Sequence, residues 1–60
     1  MKDMLLHLEK LRTDAAECAL IRDLSTDPAK KDLFARLARH LEVLAGEVER
    51  AIDAAKGSTG

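Results

Sequence analysis

Aromatic side chains are all but missing from this chain: Phe34 is the only one, with no Trp or Tyr. That excludes the aromatic platforms on which bases stack, and the Trp and Tyr belts that anchor proteins at membrane interfaces. Cysteine is as scarce. With Cys18 alone, an intrachain disulfide and a multi-cysteine zinc site are both excluded, and nothing demands an oxidising compartment. One proline and three glycines leave little material for strands or elaborate loops. No apolar run is long enough for a transmembrane span. The first residues, Met1-Lys2-Asp3 and then Met4 to Leu6, lack the apolar stretch and cleavage site of a signal peptide. A soluble, cytoplasmic protein is the expectation. An excess of one charge is also absent. The formal net charge is −1 with 35% charged residues, so no bulk attraction to nucleic acid or anionic lipid is expected.

Sixty residues make one small domain at most, and domains of this size usually need a staple or a partner. The staple is missing, so the partner becomes the question. The pattern of apolar residues addresses it. Phe34, Leu37, Leu41, Leu44, Val48, Ala51 and Ala55 follow one another at spacings of three and four, which places them on one helical face. Leu33, Ala38, Ala45 and Ile52 widen that stripe to the breadth of a helix buried against neighbours.

Residues from about 2 to 24 predict a first helix, with no glycine or proline inside. Met1, Met4, Leu8, Leu11, Ala15 and Cys18 repeat at three and four, a seam of coiled-coil type. The seam then breaks: its next place is Arg22, while Leu6, Leu20, Ile21 and Leu24 point elsewhere. Three explanations stand. The end of the helix rotates its contacts near the turn, the helix is covered on both sides in an oligomer, or these side chains are simply exposed. Together they form a candidate partner surface.

Ser25-Thr26-Asp27-Pro28 predicts a turn over residues 25–27. Proline disfavours helical geometry at Asp27 but suits the first place of a helix, and Asp27 is then a good N-cap. Lys30 is not the Glu or Gln of a full capping box. A second helix is predicted from 28 to about 56, with Asp32 and Arg36 in the favourable i,i+4 order. Gly46 falls on its polar side, Gly57 is expected to end it, and residues 57–60 are expected to form a flexible tail. A short connection leaves the two helices antiparallel and adjacent. Two such amphipathic helices cannot bury both stripes in each other. The predicted fold is therefore an all-α, two-helix antiparallel hairpin that pairs into a dimeric four-helix bundle with C2 symmetry. Its oligomer interface is assigned to Met4, Leu8, Leu11, Ala15, Cys18, Phe34, Leu37, Leu41, Leu44, Val48, Ala51 and Ile52.

Candidate chemistry is thin. Cys18 is either a redox or metal-binding thiol or a small core residue, and its place on the seam favours the second. Asp3 and His7 share one side of helix one at i,i+4, yet no second histidine follows at helical spacing, and His40 flanks the stripe of helix two. No metal and no cofactor is expected. Ser25, Thr13 and Thr26 have no base at hand to activate them, and no phosphate-binding glycine loop occurs. An enzyme is not expected. Arg36, Arg39 and Arg50, with Lys30 and Lys31, form a basic flank that offers a nucleic-acid surface. Glu47, Glu49 and Asp53 interrupt it, which is the pattern of a solvated, salt-bridged face.

The layout of length, hairpin and heptads is similar to that of Rop, a four-helix-bundle regulator family that binds paired RNA loops. The likeness carries over no site residue, because Rop-like bundles use polar and aromatic residues on one face for RNA, whereas Phe34 lies on the core stripe. The run Thr26-Asp27-Pro28-Ala29-Lys30-Lys31-Asp32-Leu33-Phe34, followed by Leu37-Ala38-Arg39-His40-Leu41, resembles short uncharacterised bacterial helical-hairpin proteins. That resemblance implies a bacterial helical hairpin and nothing about activity. The functional expectation is a non-enzymatic, self-associating protein-interaction or regulatory module, with a Rop-like nucleic-acid-binding regulator as the alternative.

Overall fold

Leucine, alanine and long charged residues fill positions 2–24, and such side chains lose little freedom in a helix. In the computed structural model, which describes the backbone of residues 2–59 and the side chains of residues 3–57, α1 spans Lys2–Leu24 and α2 spans Pro28–Thr59. No strand occurs among the described residues, and the two helices pack side by side as a hairpin.

The turn follows from its residues. The Asp27 carboxylate accepts from the Ala29 amide at 3.1 Å, while its carbonyl accepts from the Lys31 amide at 2.9 Å. Asp27 is therefore the N-cap of α2 and Pro28 its first helical residue, where the missing N–H costs no hydrogen bond. The Asp27 amide donates to Ser25 Oγ at 3.3 Å, and the Ser25 amide donates to the Arg22 carbonyl at 3.4 Å. The three linking residues thus satisfy much of their own backbone.

The core is a single seam. Leu8, Leu11, Ala45 and Ile52 are buried together, with Met4, Leu41 and Val48 packed against them, and Ala15 and Ala38 are buried along the same line. On α1 the seam keeps the expected places. On α2 it runs through Ala38, Leu41, Ala45, Val48 and Ile52, one step round from the predicted stripe. Leu37, Leu44 and Ala51 are exposed. The small Ala38 and Ala45 explain the shift, since they let the backbones approach where leucines at 37 and 44 would hold them apart.

Two further expectations change. α2 does not stop at Gly57: it runs on to Thr59, and Gly57 takes no positive φ. Glycine within a helix costs only about 1 kcal/mol, Ala54-Ala55-Lys56 before it favour helix, and no proline follows. Gly60 of the expected tail and Met1 of the seam lie outside the described residues. At the other end, α1 does not rotate its leucines inward near the turn. Arg22 keeps the seam place, half-buried, and Leu20 and Leu24 stay exposed.

Candidate functional site

An a/d seam divides each helix surface into two edges and an outer face. Arg12 lies on one edge of α1, with Leu5 and Ala19. Its guanidinium reaches Glu49 of α2 at 2.6 Å, so the edge of α2 that carries Glu42 and Glu49 lies on the same side of the hairpin. The centre of this edge is charged and bridged within the chain, and Leu5 lies exposed at its far end.

The opposite edge is different. By the same register it carries Ile21 from α1 and Lys30, Leu37, Leu44 and Ala51 from α2, with Leu33 beside Leu37 one turn back. Leu33 is 45% exposed, Leu44 48%, Leu37 and Ile21 37% each. Asp14 and His7 lie farther along the α1 side of this edge, and His40 and Glu47 border it on α2. The large apolar side chains thus run from near the turn to the middle of α2.

The residues assigned to an oligomer interface therefore separate into two groups. Leu8, Leu11, Ala15 and Ile52 are buried within one chain, and Met4, Cys18, Phe34, Leu41 and Val48 are half-buried along the seam. Leu37, Leu44 and Ala51 remain outside it. The candidate partner surface does not form one patch. Ile21 belongs to the apolar edge, whereas Leu6 and Leu20 lie on the outer face of α1, about 21 Å apart along the axis. Leu24, at 73% exposed, stands at the turn end. The edge formed by Leu33, Leu37 and Leu44 escaped sequence reasoning because those residues belonged to the core stripe there. The signal was present in Ala38 and Ala45, whose smallness marks the side of closest approach.

The polar candidates are dispersed. Arg36, Arg39 and Arg50 are all exposed on α2, and Arg36 Nη2 pairs with Asp32 Oδ2 at 3.5 Å. Next to the turn, Arg22 Nε donates to Asp23 Oδ1 at 2.9 Å. That hydrogen bond, helped by the opposite charge, holds the Asp23 carboxyl below its ordinary range and raises Arg22. Asp3, His7 and His40 are exposed, and Cys18 is half-buried. Among the described residues no three His, Cys, Asp or Glu side chains gather in a metal-binding group, no pocket opens, and no helix is long and apolar enough to cross a membrane.

Known protein families, curated proteins and solved structures give no match to this chain.

Proposed function

We propose that this protein is a self-associating interaction module that acts through its helix surfaces rather than through catalysis, as a dimer of hairpins in a four-helix bundle. One observation carries this reading: the hairpin is a core cut open. Among the described residues no side chain is fully buried, while leucines on several sides face solvent. The molecule is one layer of helices, 49 × 15 × 11 Å between Cα extremes, whereas stable domains enclose a core between layers. α2, at 32 residues against 23 for α1, is also about 13 Å longer than its only partner at 1.5 Å per residue. Pairing two such layers supplies the missing cover.

The test is the mass in solution by light scattering over a dilution series, with helicity followed by circular dichroism on the same samples. A dimer that loses helicity as it dissociates is expected. A helical monomer at every concentration overturns the reading.

A further inference from the structure

We infer that the apolar edge of Ile21, Leu33, Leu37 and Leu44 is a two-fold dimer interface, and that its occupant is the same edge of a second copy of this chain. The inference rests on the self-association proposed above and assigns it to one surface.

The contrast between the two edges selects this one, and area and charge bear on its occupant. The chain exposes 4624 Å², while a compact monomer of 6.6 kDa exposes about 3,900 Å². The surplus, roughly 700 Å² over the whole hairpin, is close to the ~800 Å² that each partner contributes to a standard interface, so the occupant is of the size of a second copy. Arg12 and Glu49 bridge one edge within the chain, where Leu5 is the one exposed large apolar side chain, whereas the other edge gathers Ile21, Leu37 and Leu44 with Leu33 beside them. A two-helix coil needs only the seam, whereas a third apolar position per heptad is the pattern of helices with neighbours on two sides. The groups on or bordering the edge, His7, Lys10, Asp14, Glu17, Lys30, His40 and Glu47, are of mixed sign, so a second copy meets no one-signed field. A two-fold interface requires a patch compatible with itself, and this one is.

The test uses two double variants, Leu37→Glu with Leu44→Glu, and Leu37→Lys with Leu44→Lys, each alone and mixed in equal amounts. A control carries Leu6→Glu with Leu20→Glu, which are more exposed still but lie on the outer face. Light scattering reads the mass. Each edge variant alone should fall to half the parent mass, the mixture should return to the parent mass, and the control should keep it. The return on mixing separates a lost interface from a lost fold, because opposite charges restore the contact without restoring either leucine. Edge variants at the parent mass, a mixture that stays at the mass of its components, or a control that dissociates each overturn the assignment of this edge while leaving self-association standing. A parent chain that is monomeric and helical throughout overturns both, and turns the edge over to a helix of a different protein.

Discussion

Arg12 and Glu49 stand 37 residues apart in sequence, and their side chains meet at 2.6 Å. The pair joins the middle of α1 to the far half of α2 and establishes which edges of the two helices lie together. Both side chains are more than half exposed, so the pair marks register more than it adds stability, and exposed pairs contribute about 0–1 kcal/mol. Arg12→Ala should therefore lower stability by less than ~1 kcal/mol. In a double-mutant cycle with Glu49→Ala, the coupling should shrink further at 1 M salt, where the Debye length is about 3 Å. A coupling of several kcal/mol in urea melts would show that the pair is buried in the assembled protein.

Ile52 and Leu20 make the matched contrast between core and surface. Ile52 is 5% exposed and packs in the seam with Leu8 and Leu11. Truncation to alanine leaves a cavity that a single-layer core fills poorly, at a cost of about 2–5 kcal/mol. For a chain of this size that is a large share of the whole stability, so Ile52→Ala should be mostly unfolded by circular dichroism at room temperature. Leu20→Gln should stay within about 0.5 kcal/mol of the parent. Equal losses from the two would place Leu20 in a buried contact.

How much of this was legible in the sequence can be read from α2. The turn at Asp27 and Pro28 is local chemistry, and local chemistry is written in the adjacent residues. The two helices follow from period and from the absence of breakers. The choice of buried face does not follow, because apolar residues occupy both sides of the true seam: Leu37 and Leu44 are more hydrophobic than Ala38 and Ala45. Hydrophobicity ranks the leucines inside, while close backbone approach ranks the alanines inside, and only the packed structure shows that approach prevails. The Gly57 end was missed for a related reason. Glycine permits a helix stop without requiring one, and no left-handed turn is formed there.

Asp27 carries the turn through its side chain, since its carboxylate accepts from the Ala29 amide. Asp27→Ala should cost about 1 kcal/mol, and Asp27→Asn should recover most of it because the amide oxygen accepts the same bond. Thermal melts of the three proteins decide the point. Equal losses from both substitutions would mean that the charge at the helix terminus, rather than the hydrogen bond, sustains the cap.

Gly46 sits half-buried within α2, and a Cβ there would meet only Arg50 Nη1, at an ordinary 3.6 Å. The movable end of an arginine offers no resistance. Gly46→Ala should therefore stabilise by about 0.5–1 kcal/mol, a rise in Tm of about 4 °C or more for so short a chain. A fall in Tm on this substitution would show that another helix lies against Gly46 in the assembled protein, which would move the interface from the Leu37 edge toward the charged one.

Acid should act on the turn end through Asp23. Its carboxyl is held below the ordinary value of 3.8 by the hydrogen bond from Arg22, so folding favours the charged form. The sign follows from linkage: this contribution is complete above the unfolded value and is lost as pH falls through the lower folded value. Both groups lie at the surface and are adjacent in the chain, so the unfolded state retains part of the interaction and the effect is small. Asp23→Asn should remove only that component, leaving neutral-pH stability nearly unchanged and flattening the loss of stability below about pH 4. Salt should shrink the difference between the two proteins, because an exposed pair is screened. An acid limb that is identical with and without Asp23 at low salt would show that the pair persists undiminished in the unfolded chain and adds nothing to folding.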